Sequence, residues 1–446
     1  MPGKSVGIDS ERWAMRILTS TEQEALQPWL DHLAARSVAL DADLIKLVSS
    51  IIDDVRARGD QALIDYTARF DGVELKELRI GRDDLQRYSK GVDEDVRRAL
   101  RVAIANVTAF HERQIEQSWT FVPAEGIQLG QRITPLDSVG LYVPGGTAAY
   151  PSSVVMNVVP AQVAGVERIV VTTPPRTLSE SPAVAAALLE LGVTDVYAVG
   201  GAHAIAALAF GTETVPHVDK ITGPGNKYVA AAKKLVFGVV GIDAIAGPTE
   251  VVIVADETAR AEFIAADLLA QAEHGEDASA ILITDSERLA QGVAREVEWQ
   301  AKSLPRLEIV TRSLNEYGAI IVVDSLGEAS SLVNELAPEH VEIVTSDDEA
   351  VARNIRHAGA IFFGGYTPEA VGDYVAGPNH VLPTGRTARF SSALGVYDFV
   401  KRTSLLRYSE DAFSRVADSV SLLAESEGLG GHARSALIRK ERERNR

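Results

Sequence analysis

The chain has 446 residues, of which 46% are hydrophobic, and this size and composition predict an ordered protein with two or three domains. Its 44 basic and 62 acidic residues give a net charge of −18, which would repel a phosphate backbone and argues against a nucleic-acid partner. Because the chain has no cysteine, thiolate zinc, disulfides and oxidation of an aldehyde through a covalent thiohemiacetal are excluded. The N-terminus lacks an apolar targeting segment and no apolar run reaches membrane-spanning length, so we expect a soluble, cytoplasmic protein without a membrane partner.

The N-terminal third of the chain is helical in pattern. Apolar residues recur at helical spacing through residues 44–70 and again through 96–114. We therefore interpret residues 1–139 as a helical N-terminal region, and we expect it to pack on the second of the two domains that follow.

From about residue 140, short β-branched runs alternate with Ala-rich helical stretches. This alternation is the pattern of a parallel doubly wound sheet and predicts an α/β fold with two units, 140–248 and 249–390. Residues 391–446 look helical and are expected to form an arm for dimerisation. The predicted strands lie within 140–146, 167–175, 193–202, 218–226, 251–256, 280–285, 319–324, 341–346 and 359–365.

Glycines follow several of these strands, where a doubly wound sheet binds its ligands. No G-x-G-x-x-G follows a strand, and no acidic residue stands at the spacing expected for a ribose contact. Simple turns and a dinucleotide site therefore both remain open. The glycines concerned are Gly145, Gly146, Gly200, Gly201, Gly223 and Gly225.

Four histidines in the C-terminal half each stand close to an acid or amide. Such pairs offer nitrogen and oxygen ligands for Zn²⁺, together with a base that the metal does not occupy. The pairs are Gln271 with His274, Glu339 with His340, Asp373 with His380, and Glu427 with His432.

Each pair also has a plain structural interpretation. Gln271 and His274 share one helix face, as two metal ligands would, but they also fit an exposed polar face. Asp373 lies in a Gly- and Pro-rich loop, 372–385, that is either positioned for function or folded as rigid turns. Glu339 and His340 fall at the start of a predicted strand, where both side chains can reach one cleft. Glu427 with His432 is the weakest pair, because its segment also fits an ordinary glycine-containing connection between helices.

Taken together, these motifs resemble the histidinol dehydrogenase family from about residue 40 to 435. The matching strings are long and specific. They are GLYVPGG (140–146), VGGAHAIAALAFGT (199–212), DKITGPGNKYV (219–229), GIDAIAGPTE (241–250), DLLAQAEHG (267–275), APEHVEI (337–343), GDYVAGPNHVLPT (372–384) and SSALGVYDFVKR (391–402).

The resemblance implies two incomplete Rossmann-like domains and a C-terminal arm exchanged in a homodimer with composite active sites. It implies oxidation of L-histidinol to L-histidine through L-histidinal with two NAD⁺, the last step of histidine biosynthesis. Glu339 and His340 would do the acid–base chemistry. The implied Zn²⁺ ligands are Gln271, His274, Asp373 and His432. These four residues and His340 would also contact the substrate, together with Thr249, His380 and Glu427. The implied NAD contacts are Tyr142, His203 and Asn226.

The missing cysteine bears on the implied mechanism. A four-electron oxidation must hold an aldehyde between two hydride transfers, so without a thiol the aldehyde has to be hydrated. Glu339 is the natural base for that water, and His340 would accept the alcohol proton. Zinc would then act as a template for the substrate nitrogens.

The chain departs from the family pattern at two positions. Thr249 stands where family members often carry Ser, which keeps the hydroxyl, and His203 stands where they commonly carry Gln. A neutral His203 can still donate one hydrogen bond, but it can also take a charge near the cofactor.

Three other functions remain as alternatives. A paralogous dehydrogenase for another small alcohol could use the same scaffold, although Glu427 and His432 suit an amino-imidazole substrate and its metal. A zinc hydrolase would also need a metal and a Glu-His pair, and NADH formation would exclude it. A catalytically silent binding protein does not account for the intact set of polar residues.

Overall fold

The computed structural model describes residues 15–36, 41–145 and 150–444, so Gly146 and the first fourteen residues lie outside the described part. Every strand segment predicted in the two α/β units contains a strand, which confirms the α/β fold class. In the described residues, no helix combines the length and apolarity needed to cross a membrane.

The first domain is built on a six-stranded sheet, here called sheet I. Its strands are β2 (Arg79–Ile80), β5 (Ser138–Tyr142), β6 (Arg168–Thr172), β7 (Asp195–Tyr197), β8 (Lys220–Thr222) and β9 (Gly241–Ile242). Their order is β2-β7-β6-β5-β8-β9, and only β2 pairs antiparallel. The chain therefore changes direction across the sheet between β5 and β8, which is the switch point where such sheets bind ligands.

Helices cover both faces of sheet I. One face packs against a core that includes Ile205 and Val229. The helices that cover it are α2 (Ala42–Arg58), α3 (Asp60–Asp71), α9 (Gly201–Phe210) and α10 (Lys227–Val236). The opposite face is covered by α4 (Arg82–Ser89), α5 (Glu94–Glu112), α6 (Pro151–Ala164), α7 (Thr177–Glu180) and α8 (Pro182–Glu190).

The prediction that the N-terminal region packs on the second domain is wrong for helices α2 to α5. The apolar stripe of α2, including Val48, Ile51 and Val55, shares one core with Ile205 of α9. Among the described elements of residues 1–139, only β1 (Ile17–Thr19) and α1 (Gln23–Ala35) join the second domain. Helical periodicity shows that a helix has a buried face but does not show which surface buries it.

The second domain is built on sheet II, which is wholly parallel. Its other strands are β10 (Glu250–Ala255), β11 (Ser279–Thr284), β12 (Ala319–Val322), β13 (His340–Val344) and β14 (Ala360–Phe363). The order is β1-β12-β11-β10-β13-β14. Side chains of β10 and β11 are buried on both faces, as in parallel sheets covered by helices. Those helices are α1, α11 (Ala261–Ala272), α12 (Glu287–Ala301), α13 (Leu307–Tyr317), α14 (Leu326–Leu336) and α15 (Asp348–Ala352).

A third sheet lies in regions for which the sequence predicted only helices. It consists of β3 (Trp119–Ala124), β4 (Ile127–Pro135) and β15 (Val400–Tyr408), which pair antiparallel, with α17 (Glu410–Ser426) and α18 (Gly430–Arg444) following β15. The helical interpretation is therefore wrong for residues 119–135 and 400–408. Because β3 and β15 are exposed along most of their length, neither shows the alternation that marks a half-buried strand.

Candidate active site

A cleft of about 210 Å³ separates the two sheet domains. Sheet I contributes the loop after β8, with Gly223 and Pro224, which follows the carboxyl end of a strand. Sheet II contributes residues at the opposite ends of its strands, since Thr249 precedes β10 and Glu339 precedes β13. Residues 243–249 connect the domains along the cleft and bring these two edges together.

Glu339 is buried in this cleft with 7% of its surface exposed. One carboxylate oxygen, Oε2, accepts hydrogen bonds from the Thr249 hydroxyl at 2.5 Å and from the backbone N–H of Glu250 at 3.2 Å. Burial raises the pKa of Glu339 to about 8, and the Thr249 hydrogen bond opposes that rise. A carboxyl group with this pKa can give up and accept protons near neutral pH, as a general acid–base residue must.

His340 begins β13 beside Glu339 and is equally buried. Its Nδ1 lies 3.1 Å from the backbone carbonyl of Glu250, so Nδ1 carries the proton and donates it to that oxygen. This leaves Nε2 as the unprotonated, basic nitrogen. Burial lowers the pKa of His340 to about 4, and the imidazole is therefore neutral at physiological pH.

A group of nitrogen and oxygen donors stands beside this pair. His274, Glu369 and Asp373 each place one donor atom within 4.8 Å of the others, an arrangement that suits a metal ion. His274 Nδ1 is 3.0 Å from the Ala270 carbonyl, which leaves Nε2 facing Asp373 at 4.0 Å. His380 Nδ1 lies 3.6 Å from the other oxygen of Asp373.

Gln271 is fully buried next to the same group. With its amide oriented to pair donors with acceptors, Nε2 donates to both oxygens of Glu369, at 2.7 and 2.8 Å. The amide oxygen accepts from the backbone N–H of Glu250 at 3.1 Å. Gln271 lies in the last turn of α11, but His274 follows the end of that helix and is exposed, so the prediction that both share one helix face is wrong for His274.

Glu369 is the residue of this cluster that sequence reasoning missed. It begins α16 (Glu369–Tyr374), a helix that also contains Asp373, so the predicted loop 372–385 is wrong for its first residues. The signal was present, because Glu369 and Asp373 are four residues apart and share one helix face. Burial raises the pKa of Glu369 well above its ordinary value, and the charges of Asp373 and Glu339 add to the rise.

The residues matched to cofactor contacts lie at the carboxyl edge of sheet I, which is the edge where its parallel strands end. Tyr142 ends β5, and its buried hydroxyl accepts a hydrogen bond from Gly201 N at 3.0 Å. Asn226 is exposed across the switch point, where it caps α10 by accepting from the backbone N–H of Tyr228 at 3.0 Å. A Cβ on Gly223 would lie 2.2 Å from the Tyr142 carbonyl, so only glycine fits this approach.

His203 lies in the first turn of α9 with 2% of its surface exposed. Its Nε2 is 3.4 Å from the Thr67 hydroxyl, and its Nδ1 has no hydrogen-bond partner among the described residues. Burial lowers the pKa of His203 to about 4, so this side chain is neutral.

Glu427 and His432 are not brought to the cleft by their own chain. Glu427 follows the last residue of α17 and His432 lies in the first turns of α18, and both are exposed. Among the described residues that line the cleft, neither appears. The remaining seven residues matched to metal, substrate or acid–base roles do gather there.

Two α/β domains that meet over a buried Glu-His pair and a cluster of metal-type donors define the class as a two-domain α/β protein with a polar cleft between its sheets. A family model for histidinol dehydrogenase matches residues 34–440, and the chain belongs to that family. A histidinol dehydrogenase of Geobacillus kaustophilus is 56% identical over 89% of this chain and 94% of its own length. One of Bacillus subtilis is 54% identical over 89% and 93%. The crystal structure of histidinol dehydrogenase from Elizabethkingia anophelis, 35% identical, superimposes with a TM-score of 0.90 over 97% of this chain and 100% of that one.

Proposed function

We propose that this protein oxidises L-histidinol to L-histidine through L-histidinal, with two NAD⁺ and a bound Zn²⁺. The observation that carries the proposal is the buried Glu339–His340 pair facing a cluster of nitrogen and oxygen donors. A base and a metal at one cleft are what oxidation of an amino-imidazole alcohol requires, because the substrate nitrogens can be held while a proton is removed.

The residues present fit a zinc ion. His274 and Asp373 supply one imidazole nitrogen and one carboxylate, which are ordinary Zn²⁺ ligands. Gln271 would add its amide oxygen with the amide turned the other way, so that Nε2 donates to the Thr249 hydroxyl at 2.9 Å and the oxygen faces the cluster. His432 would complete the set from a second chain. When bound, the zinc would hold the substrate through its amine and imidazole nitrogens, and NAD⁺ would accept hydride from the reacting carbon.

His340 is suited to accept the proton of the substrate alcohol. Its Nε2 is unprotonated, because Nδ1 donates to the Glu250 carbonyl, and its lowered pKa keeps it ready to accept. The charge of Asp373 opposes the lowering of the His340 pKa and favours the imidazolium form once a proton arrives.

Glu339 is suited to activate the water that hydrates the aldehyde. Hydration of the aldehyde requires a base, and the raised pKa of Glu339 makes its carboxylate a stronger base than an ordinary glutamate. The Thr249 hydroxyl and the Glu250 N–H hold Oε2, which leaves Oε1 for the water. Over the whole reaction, one alcohol, one water and two NAD⁺ give a carboxylate, two NADH and three protons.

The carboxyl edge of sheet I fits NAD. Tyr142 and Asn226 stand on either side of the switch point, and the unpartnered Nδ1 of His203 offers a further polar contact. Because His203 is buried and neutral, it would serve as an uncharged replacement for the amide that other family members carry.

A homodimer with exchanged arms accounts for Glu427 and His432. The third sheet and the arm helices expose large apolar side chains, and exposed apolar surface of this extent marks an interface in soluble proteins. These side chains are Trp119, Phe121, Val122, Leu406, Leu422 and Leu423, each at least half exposed. An arm that docks on a second chain would bury them and deliver both residues to the partner's cleft.

The stoichiometry of the reaction tests the proposal. Complete oxidation should yield about two NADH for each histidinol consumed. A yield near one would indicate a paralogous dehydrogenase that stops at the aldehyde. NADH formation from histidinol would exclude the zinc hydrolase, and no consumption of histidinol would favour a hydrolase or a binding protein.

A further inference from the structure

The carboxyl edge of sheet I lacks an acid at the place where dinucleotide-binding sheets usually have one. In such sheets, an Asp or Glu at the end of the second strand binds the ribose hydroxyls of the adenosine. Here the corresponding strand is β6, which ends at Thr172 and continues through Thr173 and Pro174. Neither threonine hydroxyl has a hydrogen-bond partner among the described residues, although both are fully buried.

Asp71 reaches this edge from a distant part of the sequence. It is the last residue of α3, the helix whose Thr67 and Phe70 pack against His203. A Cβ on the next residue, Gly72, would lie 3.7 Å from the guanidinium of Arg176, which follows β6. The charge of Asp71 also acts on the hydroxyl of Tyr142 at the end of β5.

The carboxylate of Asp71 has a buried oxygen, Oδ2, that accepts no hydrogen bond from the described residues. Burial raises the pKa of Asp71, and the positive charge of Arg176 only partly opposes this. The residue as a whole is partly exposed, so a ligand with two adjacent hydroxyl donors can reach it and satisfy it.

We propose that Asp71 binds the 2′ and 3′ hydroxyls of the adenosine ribose of NAD and thereby excludes NADP. A 2′-phosphate at this position would meet a carboxylate of like charge, whereas a free diol would donate to it. Arg176 stands close enough to bind that phosphate once the carboxylate is removed. The inference rests on the proposed use of NAD.

Calorimetric measurement of NADH and NADPH binding to the full-length protein tests this assignment independently of turnover. Asp71→Asn should weaken NADH binding roughly tenfold to a hundredfold, because charge-assisted hydrogen bonds to the ribose are lost. Asp71→Ser should improve NADPH binding relative to NADH by at least about tenfold, and adding Arg176→Ala should cancel that gain. Glu74→Gln removes an exposed acid three residues away and should change neither affinity.

The outcomes separate this inference from the proposed function. If the unmodified protein binds no NADH, the cofactor proposal and this inference both fail. If it binds NADH but Asp71→Asn and Asp71→Ser bind both nucleotides as it does, the ribose assignment is wrong and the proposed function stands. A gain in NADPH binding cannot come from a misfolded variant, so that result supports the assignment even if Asp71→Asn is less stable.

Discussion

Two variants that are each inactive should restore activity when their chains are mixed. His340→Ala removes the base in the cleft, and His432→Ala removes a residue that its own chain holds on an exposed arm helix. If the arm serves the partner's cleft, a mixed dimer contains one site that lost both residues and one site that kept both. The chains should be refolded together at equal concentration and assayed for NADH formation.

The expected recovery follows from the two-fold symmetry of such a dimer. Random pairing of equal amounts makes about half of the dimers mixed, and each mixed dimer has one intact site of two, so activity should approach about a quarter of the unmodified level. If each chain built its site alone, every site in a mixed dimer would be broken and no activity would return.

A matched pair of variants controls for effects of mixing itself. His340→Ala and Asp373→Ala alter residues that line the same cleft of one chain, so their mixture should stay inactive. Differently tagged chains would show that exchange took place. Exchange without recovery in the first mixture would refute the composite site and assign His432 to its own subunit.

Four further predictions concern the cleft and the cofactor edge. Since burial raises the pKa of Glu339 to about 8, aldehyde oxidation should speed up with rising pH and level off above about pH 8, whereas protonation of His340 should cost activity only as pH falls toward 4. Thr249→Val removes a hydrogen bond that lowers the pKa of Glu339 and should shift this limb to higher pH, while Thr249→Ser should not; a limb unmoved by Thr249→Val would contradict the assignment. In single-turnover assays, Glu339→Gln should lose aldehyde oxidation by roughly 10²–10⁴-fold but keep much of the first hydride transfer, and His340→Asn should impair both; equal losses in both steps for Glu339→Gln would argue against divided roles. Chelators should abolish activity and Zn²⁺ should restore it, with His274→Asn lowering measured metal well below one per chain, and a fully active metal-free preparation would refute the site. His203→Gln should leave KM for NAD⁺ within a few-fold, under about 1 kcal/mol, because the buried imidazole is already neutral, and a larger loss would show a cofactor site rebuilt around it.

Much of the fold was predictable because its signals are local. Alternation of β-branched strands with Ala-rich helices predicted both α/β units, and each predicted segment contains a strand. The helix that contains Gln271, and the placement of Glu339 at the entry to β13, were likewise predictable from spacing, whereas His274 lies beyond the end of that helix. β15 was not, because a strand exposed on both faces carries no hydrophobic period and is defined only by its pairing with β4.

The sequence by itself determined which side chains could act as bases or ligands and, through the missing cysteine, that no thiol takes part. Only the tertiary structure decided which of them meet. Glu369 and the Glu250 backbone join the cleft because α16 and β10 bring them there, and Asp71, at the end of α3, comes within electrostatic reach of Arg176 and Tyr142. Burial then gave Glu339 a raised pKa and His340 a lowered one, since the loss of water disfavours the charged form of each, and burial exists only once the chain has folded.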